Sequence, residues 1–179
     1  MILGPNELLK LVKSKKLVEN LSQRELTNPE GAGFDLRLDE VYKISGDAFL
    51  GETHRKTADV KLVKKYDEKK KGSIKIKPGD FFLVKTIESV NMPDNLTANI
   101  TPRSTTYRSG LMLRVGNVPP GYCGGLTFGL KNAGPITVEI ELGARIVHIQ
   151  FSEVKGGGNM YRGQWQGGRV TATKKEKQV

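Results

Sequence analysis

Arg103 and Arg108, five residues apart, bracket Ser104, Thr105 and Thr106 in the stretch Thr101–Gly110, directly after the apolar, strand-like run Leu96–Ile100. A guanidinium carries a planar fork of donors that fits phosphate oxygens bidentately, and it stays charged at any physiological pH. The three hydroxyls add short donors at the same place, and Gly110 lets the backbone turn sharply behind them. Such a cluster can bind a polyphosphate. From spacing alone it reads equally as a polar turn with solvated arginines.

The elements that must carry these residues are mostly short strands. Phe34, Leu36 and Leu38 alternate with polar residues, as do Val60 with Leu62 and Ile74 with Ile76. Pro78-Gly79-Asp80 punctuates like a turn before the apolar run Phe81–Val84. Further strands are expected at Thr97–Thr101, Leu111–Val115, Leu126–Lys131, Ile136–Leu142 and Ala144–Phe151. Many short strands, glycine turns and few helices argue for an all-β barrel or jelly roll in one domain over 1–179. The best helix is Asn6–Lys15, with Asn6 as its cap, and Ser22-Gln-Arg-Glu25 matches a capping box with room for one turn. Residues 45–72, charged and turn-rich, read as an excursion or hairpin insertion. Gly156–Gly158 reads as a hinge, beyond which Tyr161–Arg169, with the single tryptophan Trp165, could close over a ligand, and Thr171–Val179 as a frayed end.

Composition narrows the partners. An excess of 29 Lys+Arg over 19 Asp+Glu favours an anionic ligand. The lysine runs at 69–71 and 174–177 lie in polar or terminal segments, and no aromatic stripe interleaves with them, so nucleic acid is not the expected partner. One cysteine, Cys123, rules out an internal disulfide and fits a reducing cytoplasm. No apolar run long enough for a membrane span and no signal-peptide pattern occurs.

Five motifs, in order, carry a resemblance. Arg103–Gly110 resembles the Arg-Ser-Ser-x-x-Arg-x-Gly motif of the dCTP deaminase and trimeric dUTPase superfamily. Gly33–Leu38 is similar to its early Asp-Leu-Arg-Leu strand, and Ile87–Leu96 to the segment leading into the arginine motif. Gly121–Asn132 is similar to the stretch that contains Thr-Leu-Glu-Leu, and Tyr161–Gly167 to the closing Tyr-x-Gly-Lys-Tyr-Gln-Gly motif. The N-terminal helix and the closing motif resemble the dCTP deaminase-like branch. The resemblance implies a distorted β-barrel of the dUTPase type and a homotrimer with sites between subunits. It implies Arg103, Ser104, Thr105 and Arg108 on the phosphates, with Tyr161, Gln166 and Arg169 covering the triphosphate from the tail. Asn117, Val118, Tyr122 and Thr127 would border the sugar and pyrimidine. Gln164 replaces the family's lysine. Magnesium on the nucleotide is the cofactor this implies.

Zinc deaminases need a His/Cys ligand set and a glutamate in spaced motifs, and His54, His148 and Cys123 do not supply them. The resemblance implies deamination of dCTP without zinc, or hydrolysis of dUTP to dUMP and pyrophosphate. The acids those reactions use in the family are replaced, however: Gly129 stands where the glutamate is expected and Pro119 where the aspartate is. No Asp or Glu occurs between Asp94 and Glu139. Asp35, Glu88, Glu139 and Glu141 read as scaffold or exposed strand face. Ser104 and Arg108 keep supporting roles, and no catalytic base is assigned. An enzyme, a catalytically silent deoxynucleotide sensor and a basic binding module therefore all stay open.

Overall fold

A computed structural model describes residues 1–172 and the backbone of 176–177. In chain order it contains α1 (Pro5–Lys15), β1 (Val18–Glu19), α2 (Gln23–Thr27), β2 (Phe34–Ser45), β3 (Phe49–Leu50), β4 (His54–Lys56) and β5 (Asp59–Lys65). There follow β6 (Ser73–Ile76), β7 (Phe81–Asn91), β8 (Leu96–Pro102), α3 (Ser104–Arg108), β9 (Leu111–Arg114) and β10 (Asn117–Val118). The last are β11 (Cys123–Asn132), β12 (Val138–Glu141), β13 (Arg145–Glu153) and β14 (Glu176–Lys177). The expected all-β character is what the chain shows, a curled antiparallel sheet with a short N-terminal helix.

The principal sheet runs β10-β8-β13-β2-β7-β11-β9, with β1 added to β7 and β5 added to β2. β2 joins its two halves. Phe34–Arg37 pair with β13, whereas Leu38–Tyr42 pair with β7, across a register shift between Leu38 and Glu40. A bulge at that point bends the strand and increases its twist, which curls the sheet. Strict alternation buries one side of β7, namely Phe82, Val84, Thr86, Glu88 and Val90. These residues join Phe34, Leu36, Leu38, Val147, Ile149 and Phe151 in one core. Thr86 and Glu88 are polar, so they need partners inside. Thr86 donates to the Glu88 carbonyl and accepts from the Leu126 amide, and Glu88 accepts from the Arg37 amide at 2.7 Å and its Nε at 2.6 Å.

Three local expectations are corrected. Asn6 is not the cap of α1; Gly4 is, with no side-chain bond, because Pro5 occupies the first helical position, where its missing N–H is no loss. Ser22 does cap α2, accepting from the Glu25 amide, but Glu25 turns inward to accept from the Asp35 amide at 3.0 Å. Residues 45–72 are only partly an excursion. β3 and β4 form the hairpin, while β5 extends the principal sheet by pairing Val60–Lys65 with Glu40–Ile44. Of the end expected to fray, 173–175 and 178–179 lie outside the described residues, and the backbone of 176–177 pairs with β4.

Candidate nucleotide site

Between β10 and β11 the chain makes the turn Pro119–Tyr122, and this turn forms one wall of a cleft of about 200 Å³. Gly121 takes φ +76°, a left-handed conformation that favours glycine. The turn is locked from both sides. Gly121 donates to the Met92 carbonyl at 3.0 Å, and Met92 donates to that of Tyr122 at 2.9 Å. The Tyr122 hydroxyl donates to the Gly125 carbonyl at 2.8 Å. Burial above all, then the neighbouring Tyr161 and Cys123, pushes the Tyr122 phenol up to about 12, so it stays neutral. Asn117, Val118, Tyr122 and Thr127 all line the cleft, as does Pro119. The Thr127 hydroxyl is buried on its wall and has no hydrogen-bond partner among the described residues. An orphan hydroxyl of this kind is a ready contact for a polar ligand atom.

The tail supplies the rest of the enclosure. Tyr161 donates from its amide to the Pro120 carbonyl at 2.7 Å, and its ring meets Tyr122 edge-on with centroids 5.4 Å apart. Its hydroxyl accepts from the Trp165 amide at 3.3 Å. Gln166 clasps the turn, donating to the Gly121 carbonyl at 2.9 Å and accepting from the Cys123 amide at 3.1 Å. Tyr161 and Trp165 then line the cleft. On its other side Trp165 lines a second cavity of about 380 Å³ with Ile44, Val60, Leu83, Arg169, Tyr122 and Thr127. Gln166 is therefore a clasp on the turn here, and Arg169 a wall of the second cavity.

The arginine motif lies elsewhere. None of Arg103, Ser104, Thr105 and Arg108 lines the cleft. Ser104, Thr105 and Arg108 are exposed on or at the end of α3, and Arg108 has no ionic or hydrogen-bonding partner among the described residues. Thr106 is buried and donates to the Ile146 carbonyl at 3.1 Å, tying α3 to β13. Arg103 places its Nε 3.0 Å from the Asp35 carboxylate. Burial alone would push that carboxyl up, but a hydrogen bond from His148, then the charges of Arg103, His148 and Arg145, hold it below the usual aspartate range.

Residues 2–154 match the dCTP deaminase-like family. The chain belongs to that family. It is 32% identical over 167 residues to the dCTP deaminase of Thermococcus kodakarensis, covering 93% of this chain and 95% of that one. It is 31% identical over 156 residues to the dUMP-forming dCTP deaminase of Dictyoglomus turgidum, covering 84% and 79%. Among solved structures, the 2'-deoxycytidine 5'-triphosphate deaminase of Agrobacterium tumefaciens superposes with TM-score 0.64 at 18% identity. The match spans 84% of this chain and 47% of that longer one, and it supports the fold alone.

For a dCTP deaminase-like chain, the location of its carboxylates matters. Among the described residues, no Asp or Glu lines the cleft or the second cavity. Glu88 is committed to Arg37, and burial pushes its carboxyl up against that pull. Glu139 pairs with Ser73, and Glu141 is exposed on β12. At Gly129 the space for a side chain is taken: a Cβ there would stand 2.8 Å from Cζ of Phe81. His54 is exposed, Cys123 opens β11, and among the described residues no three His, Cys, Asp or Glu gather as metal ligands. Sequence reading missed the Asp35 cluster, whose members are far apart in the chain. Its one available signal was Asp35 inside the Gly33–Leu38 motif.

Proposed function

We propose that this chain binds a deoxypyrimidine triphosphate, dCTP or dUTP, and processes it by the zinc-free chemistry of its family, deaminating dCTP or hydrolysing dUTP to dUMP and pyrophosphate. The observation that carries the reading is the cleft. The 119–122 turn and the tail enclose a mostly apolar slot with two tyrosines, one tryptophan and one buried hydroxyl unpartnered among the described residues. That suits a flat, hydrogen-bonding base. The family match and the relatives named above support the substrate class. Phosphates fall to Arg103, Ser104, Thr105 and Arg108, whose exposed donors form a cationic face. Cleft and arginine motif are separate on one chain, which favours the homotrimer implied by the resemblance, one copy gripping the phosphates of a base held by another. Magnesium would arrive on the nucleotide, because the described residues gather no ligand set of their own.

One observation favours a second reading, a binder without turnover: among the described residues no carboxylate lines the cleft, and a general base must reach the proton it moves. Incubation with dCTP and with dUTP, each with magnesium, separates the two when uracil formation and pyrophosphate release are followed. Turnover of either nucleotide is expected. Background rates with a nucleotide-dependent rise in melting temperature would establish the silent binder, and no thermal shift with either would overturn nucleotide binding itself. Arg108→Ala is expected to abolish the shift.

A further inference from the structure

β13 contains an irregularity that the strand pattern hides. Val147, Ile149 and Phe151 are fully buried, so strict alternation would turn Arg145 into the core with them. Between Arg145 and Val147, however, β13 advances two residues while β2 advances one, from Arg37 to Leu36. The extra residue lets Ile146, 3% exposed, and Val147 both point inward. Arg145 then emerges toward Asp35, the residue facing His148 across the ladder. Bulges of this kind re-aim side chains and are concentrated next to active sites.

Asp35 receives more cations than one carboxylate neutralises. Its Oδ2 lies 3.0 Å from Arg103 Nε and 2.9 Å from Arg145 Nη1, and its Oδ1 lies 3.0 Å from His148 Nδ1. Arg24 is 3.8 Å away and is matched by Glu25 and Glu30. Arg103 and Arg145 therefore share a single anion, which leaves one positive charge without a counter-ion. Each commits one N–H to Asp35 among the described residues, so most of each five-donor fork stays available. Their side chains are 27% and 32% exposed, beside a carboxylate that is only 6% exposed. Because both donors touch the same oxygen, their nitrogens are close enough to grip oxygens of neighbouring phosphoryl groups.

We propose that Arg145 is a further phosphate-gripping guanidinium of the nucleotide site, held beside Arg103 by the shared carboxylate of Asp35, which acts as a positioning residue. The inference rests on the triphosphate reading above. A charge-assisted, two-pronged contact of this kind changes affinity by about ten- to a hundredfold. The test titrates the full chain with dCTP and dUTP, and separately with inorganic tripolyphosphate as a base-free probe, in the wild type and in Arg103→Gln, Arg145→Gln and Arg145→Lys. Arg145→Gln is expected to weaken the bound nucleotide and tripolyphosphate by that factor, and dUMP or dCMP by less. Arg145→Lys keeps the charge and the Asp35 pair but lacks the fork, so it should lose at least severalfold, and it decides the matter should the glutamine variant fail to fold. Wild-type affinity in the Arg145 variants, with binding lost in Arg103→Gln, overturns the inference and leaves the triphosphate reading intact. No binding of either nucleotide by the wild type removes that reading itself, and the inference with it.

Discussion

A carboxylate sealed from water stays ionised only where its partners offset the lost hydration, and at Asp35 they do so with a margin. Its folded-state pKa lies below the ordinary aspartate value. Asp35 therefore adds stability that is present above about pH 4 and is lost as the pH falls through its folded value. Asp35→Asn, equal in size, should cost roughly 1–3 kcal/mol at pH 7. The gap should narrow as the pH falls below the ordinary aspartate value and the wild-type carboxyl takes up its proton. Urea unfolding midpoints at pH 7, 5 and 3 read this directly, and a gap independent of pH would assign the loss to packing instead. The sequence showed Asp35 within a motif but not its role, because Arg24, Arg103, Arg145 and His148 meet it only through the fold. Arg145 was hidden for a sharper reason: alternation points the wrong way at a bulge. Gly129 is the reverse case, singled out by the resemblance alone. What the chain alone could not show is that the Phe81 ring lies against it, so that any side chain there would have to move the ring.

At the scale of elements, β8 and the start of β2 were readable, because burial on one face leaves a period of two, whereas β7 showed only as the apolar run Phe81–Val84 and its alternation on to Asn91 went unread. The docking of the tail was not, since it depends on backbone contacts that carry no side-chain pattern. Gly168 lies against the strand β11 so closely that a Cβ on it would stand 2.6 Å from the Gly125 nitrogen, and its φ is +70°. Gly167 donates to the Cys123 carbonyl at 2.8 Å beside it. An alanine at 168 meets backbone, which cannot swing aside, and adds the roughly 1 kcal/mol penalty of a left-handed residue with a side chain. Gly168→Ala should therefore release the tail while leaving the core unfolding transition nearly unchanged. Trp165, the only tryptophan, reports this without labelling. Its emission should shift to the red and become more open to quenching, and nucleotide affinity should fall with it. Wild-type emission in the variant would show that the glycine contact does not hold the tail.

At the scale of the whole molecule, none of Arg103, Ser104, Thr105 and Arg108 lines the base cleft within one chain. A triphosphate nucleotide engaging both is then proposed to bridge two copies, as closed cyclic assemblies allow when each interface repeats the same pair of surfaces. The net charge of +10 opposes association of bare copies, and an anion bound between them relieves part of that repulsion. Complementation makes the idea measurable. Arg108→Ala removes an exposed phosphate contact, and Trp165→Ala opens the cleft, so each variant alone should bind little nucleotide. Co-refolded in equal amounts, random assembly places an intact cleft against an intact arginine motif in about a quarter of the sites. Binding stoichiometry for dUTP or dCTP should recover to about that fraction, and turnover in proportion where turnover occurs. If the mixture binds no better than its components, cleft and motif do not cooperate between chains, and the site must be completed within a single copy.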